Sequence, residues 1–380
     1  MKTKIFIIPV IVLIKWLLFF DSCYAQIAHT KTQIPQNWIA TTIYSGAHAG
    51  VHHLIRQSDG TLWVFVPGGT MQQMEGIDHV ISVVADKFSC MALKDDGTVW
   101  VWGELTDGQL GDPTIHLAKT DVPMQVPHLH NVIAIATTGR GCYALLKDST
   151  VMAWGGETHL GYYEMVQTQR PTRWPELTKV VDIKGDIALK ADGTVWVWGS
   201  NNRGRLGLKG VDRSPVPVPI PGIEHAVAIS SRNGGGLALL ADGTVRAWGD
   251  NQNGELGNGR SQLNTEFKNG PVKVSNIANA VALSAYSSSC FALLNPGDVL
   301  AWGDGRIGAL GVKSNEANNI PVKISALHHV IAIQSGVFHG FALLEDGTVM
   351  GWGSNMVATG IYHQVYAPVV ITKLGNKAPR

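Results

Sequence analysis

One short stretch of sequence returns along this chain at nearly regular intervals, and no other feature constrains the fold as tightly. "LKDDGTVWVWG" ends at Gly103, and "LKADGTVWVWG" ends at Gly199. Further copies are "LLADGTVRAWG" ending at Gly249 and "LLEDGTVMGWG" ending at Gly353. Looser ones are "LLKDSTVMAWG" ending at Gly155 and "LLNPGDVLAWG" ending at Gly303, with a degenerate first copy "IRQSDGTLWVFV". The anchoring aromatics are Phe65, Trp102, Trp154, Trp198, Trp248, Trp302 and Trp352, spaced 37 to 54 residues apart. Seven copies therefore share residues 26–380 as a single domain.

Each copy has the same internal order. A β-branched apolar run such as Val132-Ile133-Ala134-Ile135 comes first. A loop leads to "ALL", then an Asp-Gly turn, then the run ending in Trp-Gly. Asp-Gly between apolar runs is a hairpin signal, with both turn residues expected at positive φ. A Gly-rich loop ending "GxLG" leads to a fourth extended run such as Pro271-Val272-Lys273-Val274. Four short strands per unit and no helical period predict an all-β, seven-bladed β-propeller of four-stranded antiparallel blades. In such a ring each anchoring indole fills the wedge between neighbouring blades. The first-strand fragment near Trp38 and the last run, Ala367–Leu374, are expected to pair with each other and close the ring without an exposed edge.

The pattern Asp242-Gly243-Thr244 to Trp248-Gly249, then Asn251, Gly254, Leu256 and Gly257, resembles the regulator of chromosome condensation repeat family. The last unit carries the family's other hallmark, "SGVFHGFAL", with Gly336 and His339. Three departures stand out. The fourth unit shortens its loop to "KGDIALK" around Gly185, the first lacks "GxLG", and the last replaces it with "NMVATG". The resemblance implies the propeller fold and a protein partner. Eukaryotic members similar to this chain act as nucleotide-exchange factors on a small GTPase, through a wedge for which no insertion is evident here. Secreted bacterial propellers that resemble this repeat inhibit β-lactamases with aromatic loop residues beside a similar Phe-His-Gly.

Composition narrows the partner. Thirty Lys+Arg nearly cancel 29 Asp+Glu, so no global field exists to hold a phosphate backbone, and nucleic acid is not expected. Lys2 and Lys4 precede an apolar run from Ile5 to Phe20, followed by "CYAQ". That is the grammar of a secretory signal peptide cleaved after Ala25, which places the chain outside the cytoplasm, secreted or periplasmic. A rival reading makes Cys23 a lipid-attachment cysteine, which Phe20-Asp21-Ser22 fits poorly. No later segment reaches membrane-spanning length. Cys90, Cys142 and Cys290 occupy one equivalent position in three repeats, too far apart around a ring to pair, and are expected as buried free thiols.

Gly303-Asp304-Gly305-Arg306-Ile307-Gly308 matches a dinucleotide-binding glycine pattern, but the same slot in other repeats reads as an ordinary loop. The 14 His residues are spread by the repeat, His79, His225 and His329 at one equivalent position; only His48, His52 and His53 cluster, with no carboxylate partner. No metal, cofactor or catalytic motif is expected, and the chain reads as a monomeric, non-enzymatic scaffold.

The loops joining the first two strands of each unit fall on one face by symmetry. They present His48, Phe88, Arg140, Arg232, Tyr286, Phe338 and His339. Aromatic and Arg side chains dominate interface hot spots, so these residues are the candidate partner-binding set. The alternative is that they plug the channel, His339 in particular. Trp174, in "RPTRWPEL" near Tyr162 and Tyr163, sits between repeat signatures and is the one Trp expected exposed, as a candidate carbohydrate- or surface-binding platform. N-terminal sequencing of the chain recovered from a secreting host should read from Gln26; a start at Cys23 would instead mark lipid attachment.

Overall fold

The computed structural model describes residues 38–39, 54–57, 59–66, 70–85, 89–138, 141–156, 169–261, 270–354 and 364–373. Seven four-stranded antiparallel sheets follow one another along the chain, each made of four consecutive strands. We number these blades 1 to 7; they cover 38–73, 80–125, 132–174, 180–219, 226–273, 280–323 and 330–373. Two single turns of 3-10 helix, Asn202–Gly204 and Arg306–Gly308, are the helical elements among the described residues. The all-β, seven-bladed propeller read from the repeat is the fold observed.

First strands of successive blades touch one another, so they line the axis and the fourth strands lie outermost. Hydroxyls reinforce that inner ring: Ser230 Oγ accepts from the Ala285 amide at 2.9 Å, and Ser284 Oγ from the Ser335 amide at 2.8 Å. In the outer strands, Pro123, Pro217, Pro321 and Pro368 withhold N–H groups at the exposed edge, which discourages strand addition.

The hydrophobic core is a set of wedges between blades. In one, Leu237, Leu239, Val245, Ala247 and Leu256 of blade 5 pack with Ala280, Leu283, Cys290, Ala292 and Trp302 of blade 6. The same arrangement places Trp102, Trp154, Trp198, Trp248 and Trp352 in the other wedges, each with side chains of the preceding blade. All six indoles are buried. Three donate Nε1–H to the preceding blade's "GxLG" loop: Trp154 to Gln109 O at 2.8 Å, Trp302 to Glu255 O at 2.9 Å, and Trp352 to Ala309 O at 3.0 Å. The side chain of Phe65 lies outside the described residues. Cys90, Cys142 and Cys290 are free and buried, and burial pushes the Cys142 and Cys290 thiols up to about 12.

Two expectations are corrected. The terminal segments do not share a blade. Val365–Lys373 pairs with Thr348–Gly353 inside blade 7, and Trp38–Ile39 pairs with Leu54–Gln57 inside blade 1. Each terminal unit already holds four strands, so pairing stays local and needs no long loop closure. The Asp-Gly turn also differs. Lys94 N bonds Thr98 O at 2.9 Å and Gly97 N bonds Lys94 O at 3.0 Å, with positive φ at Gly97 and not at Asp96. This is a type I turn closed by a left-handed residue, one residue longer than the expected loop.

That turn recurs because Asp and Thr close it. The Thr98 hydroxyl and amide both donate to Asp96 Oδ1, at 2.6 and 2.9 Å, and Thr61, Thr150, Thr194 and Thr244 do the same to Asp59, Asp148, Asp192 and Asp242. Each turn then docks on the next blade: Val132 N donates to Gly97 O, Ala226 N to Gly193 O, and Ala280 N to Gly243 O. The recurring His79, His225 and His329 sit just before the first strand with φ of 53, 58 and 54°. His is among the residues enriched in that region, which explains their repetition in backbone terms.

Two outcomes test this account. Gly210 and Gly311 share φ of +71°, but an added Cβ meets nothing within 4 Å at Gly210 and lies 2.8 Å from Trp352 Cδ1 at Gly311. Gly210→Ala should lose only about 1 kcal/mol for the left-handed backbone, and Gly311→Ala about 1–3 kcal/mol more, read from denaturant midpoints. The hydrogen bonds from Thr244 hold the Asp242 carboxyl below the usual carboxylate range. Stability from such a depressed group is present above the unfolded value and is lost as pH falls through the folded one, so these turns weaken below about pH 4. Thr244→Ala should raise the Asp242 midpoint in a carboxyl NMR titration.

Candidate functional site

The antiparallel meander sends two kinds of connection to opposite faces of the disc. The Asp-Gly hairpins between second and third strands lie on one face. The first-to-second and third-to-fourth loops lie on the other, hereafter the loop face. The recurring Asp and Thr side chains of the hairpin face are spent on their own turns, whereas the loop face differs from blade to blade.

The shortened loop of blade 4 shapes the loop face most. In blade 5 the first hairpin continues beyond the Ile229–Ala238 pair through three more pairs to Arg232–Gly235. In blade 4 it stops one pair beyond Ile183–Ala188, at Lys184–Ile187. Two missing pairs lower the hairpin by roughly 7 Å at strand rise. A cavity of about 420 Å³ lies there, lined by Asp186 of blade 4, Arg203 and Arg205 of its outer loop, Arg232 and Asp250 of blade 5, and Ser287 of blade 6, among others.

Charge pairs hold the walls. Arg205 Nε donates to Asp186 Oδ2 at 2.7 Å, and Arg205 Nη1 reaches Asn233 O at 3.3 Å. Arg203 Nη1 donates to Asp250 Oδ2 at 2.9 Å across the blade 4–5 boundary. Arg203 takes φ of 56° and Ile307, its equivalent in blade 6, 61°, a rare conformation for a β-branched residue. Beside Ile307, Asp304 accepts from both Nε and Nη2 of Arg306 and raises that guanidinium's pKa further, while the Arg306 side chain stays two-thirds exposed.

The sequence-derived candidates separate when placed. His48, Phe88 and Arg140 lie outside the described residues, as do His52, His53, Tyr162 and Tyr163. Tyr286 and Phe338 stand half-buried on the loop face. Arg232 is 3% exposed, its Nη2 donating to Trp248 O and Asp250 O at 3.0 and 2.5 Å, so it ties the blade as well as lining the cavity. His339 is buried, its ring 5.2 Å from that of Phe341 and seated where a Cβ on Gly336 would lie 2.1 Å from Nε2. The Gly336–His339 spacing thus fits a packed ring, not a presented one.

Trp174 requires a correction, because it is half-buried and not a free platform. Its ring centroid lies 5.0 Å from Trp198 and 5.9 Å from Tyr143, at the edge of the blade 3–4 wedge. It fills the slot that Val126, Ile220, Val274 and Ile324 fill where other fourth strands end. Trp100 and Trp196 are also wedge-edge residues, with Lys94 and Lys190 ammonium groups 5.4 and 3.6 Å from the ring centroids. The stretch 303–308 runs from a strand into a 3-10 turn and opens no α-helix, which removes the dinucleotide reading. Among the described residues, no group of three His, Cys, Asp or Glu is placed to hold a metal ion, and no helix is long and apolar enough to cross a membrane. The residues sequence reasoning missed are Asp186, Arg203, Arg205 and Asp250, for which the shortened "KGDIALK" loop was the available signal.

Known proteins share this repeat and this architecture. The family model "Regulator of chromosome condensation (RCC1) repeat" matches residues 96–145, 192–236 and 296–343, and a second model of the repeat matches 225–255. The human E3 ubiquitin-protein ligase HERC2 is 31% identical over 163 residues, covering 39% of this chain and 3% of that protein. The guanine nucleotide exchange factor SRM1 of Saccharomyces cerevisiae is 24% identical over 196 residues, 40% of this chain and 41% of that protein. The chain thus spans well under two thirds of these curated relatives. Among solved structures, yeast RCC1 (Prp20) bound to Kap60 superposes with a TM-score of 0.71 at 21% identity, covering 90% of this chain and 89% of that one. The chain thus carries regulator of chromosome condensation repeats within a propeller of seven four-stranded blades.

Proposed function

We propose that this protein is a binding regulator that engages a protein partner through its loop face. One observation carries the reading: the two faces are chemically unlike. The hairpin face repeats one Asp-Thr turn whose polar atoms are internally bonded, so it offers a partner little that is distinctive. The loop face gathers half-buried Tyr286 and Phe338, the exposed Arg306 and the Arg203–Asp250 pair. Rigid aromatic rings and Arg are the side chains that anchor interfaces. Similar architectures support a protein partner, since one neighbour is a complex of yeast RCC1 with Kap60. The basic and apolar character of residues 1–25 supports export, so that the partner is met outside the cytoplasm.

A second reading, nucleotide exchange on a small GTPase, is favoured by the similarity to SRM1. Covalent chemistry by the chain itself is not part of either reading, and ligase activity belongs to a relative of which this chain matches 3%.

Affinity capture on the purified mature chain tests the first reading. A specific protein from an envelope or extracellular extract should be retained by the wild type and by the hairpin-face variant Lys147→Glu. The double variant Tyr286→Ala/Phe338→Ala should bind it at least about tenfold more weakly, the scale of one hot spot. Loss of capture in Lys147→Glu alone would refute loop-face binding. Accelerated release of labelled GDP from a small GTPase would move the assignment to the second reading.

A further inference from the structure

The cavity above the lowered hairpin of blade 4 has no apolar side chain in its lining. Asp186, Asn202, Arg203, Arg205, Arg232 and Asp250 form most of it, and Asn, Ser and Gly residues complete it. Pockets for ordinary small molecules are lined mainly by apolar and aromatic groups, within a range of about 300–1,000 Å³. At about 420 Å³ this one has the size but not that lining, so it fits a ligand that carries many polar groups.

Its donors and acceptors fall into two sets. Arg203 stands at the rim with its side chain 55% exposed, Nη1 on Asp250. Arg232 is 3% exposed and its Nε, buried, has no hydrogen-bond partner. Its charge meets only the neutral carbonyls of Trp248 and Asp250, so the cavity wall stays positive there. Beside these donors, Asp186 and Asp250 are fixed by Arg205 and Arg203, and a carboxylate has about four acceptor sites, more than these pairs use.

We propose that this cavity binds a hydroxylated carboxylate, the chemistry of a uronic-acid unit in an acidic polysaccharide. The ligand's carboxylate docks on Arg203 and Arg232. Its hydroxyls donate to Asp186 and Asp250 and exchange hydrogen bonds with Asn202 and Ser287. An acidic peptide fits less well, because it brings a carboxylate to the guanidiniums but no hydroxyls for the two aspartates, which then repel it. A neutral sugar leaves the donors at Arg203 and Arg232 without a charged acceptor. This site goes beyond the protein-binding reading and does not depend on it.

Calorimetric titration of the mature chain decides the matter, with trigalacturonate, maltotriose and an Asp/Glu-rich hexapeptide as probes. Trigalacturonate should bind, and the other two should not bind measurably at the same concentration. Arg203→Asn, chosen because Asn tolerates the left-handed backbone, should weaken binding at least about tenfold. Asn202→Asp, at an exposed position where folding is not at stake, should weaken it by adding repulsion. Arg306→Gln removes the same charge from the equivalent loop of blade 6 and should leave binding unchanged. Equal losses in Arg203→Asn and Arg306→Gln, equal binding of maltotriose, tighter binding of the peptide, or no heat from trigalacturonate at millimolar concentration would each overturn the proposal.

Discussion

The fold rests on a contact between one blade's indole and the previous blade's loop. Trp302 lies buried among side chains of blades 5 and 6, its Nε1–H on Glu255 O, and a Cβ on Gly257 would fall 2.9 Å from its ring. Ring, carbonyl and glycine form one unit: the glycine lets the loop approach, and the loop supplies the acceptor a buried indole needs. Trp352 repeats the whole unit with Ala309 O and Gly311, and Trp248 keeps ring and glycine (Gly207) without an acceptor for its Nε1–H. In each wedge the packed ring makes one sheet the wall of its neighbour. A four-stranded sheet with both faces covered this way needs no helix layer, which accounts for an all-β chain with few charges.

A backbone hydrogen bond at the opposite end of each blade complements the wedge. The residue closing the hairpin in blades 1 to 6 turns its carbonyl to the first strand of the next blade, as Ser149 does to Val180 at 3.0 Å. Ser149 takes φ of 64° where the other units have Gly, so the geometry outlasts the residue that usually provides it. Indole at one end and hairpin carbonyl at the other fix both position and tilt between neighbours. Inner-strand hydroxyls such as Ser230 then complete the axial lining.

Nearly all of this architecture was legible in the sequence, because a repeated slot must have a repeated environment. The six Trp-Gly pairs, the four-strand grammar and the three equivalent cysteines follow from that symmetry. Local oddities are legible only against the aligned units. Trp174 looked exceptional as a Trp, yet "RWPEL" lines up with "QVPHL" and "PIPGI", where Val126 and Ile220 end their strands. Its slot was legible even though its identity was not. The hairpin turn was misjudged by one residue because Asp-Gly suits both a two-residue loop and a longer one, and only the Thr98–Asp96 bonds decide between them. The cavity was less accessible. "KGDIALK" announced a missing stretch, but which side chains would converge on the gap depends on neighbouring blades.

Function in such a molecule has to be sought where the repeat breaks. A side chain required by every blade is committed to holding the ring, and substituting it costs stability before it changes binding. Arg232 shows the boundary case, since it lines the cavity while its guanidinium ties the carbonyls of Trp248 and Asp250. Arg203 lies on the other side of that boundary. It occupies a slot that is Asn253 in blade 5, Asp107 in blade 2 and Ile307 in blade 6, so the ring does not require a guanidinium there. A charged side chain held in a left-handed conformation, at a position where three other blades use three other residues, is not explained by packing. Its pairing with Asp250 across two blades accounts for its orientation but leaves more than half of it in solvent. Both proposals therefore draw on the loop face of blades 4 to 7, beside the shortened hairpin of blade 4.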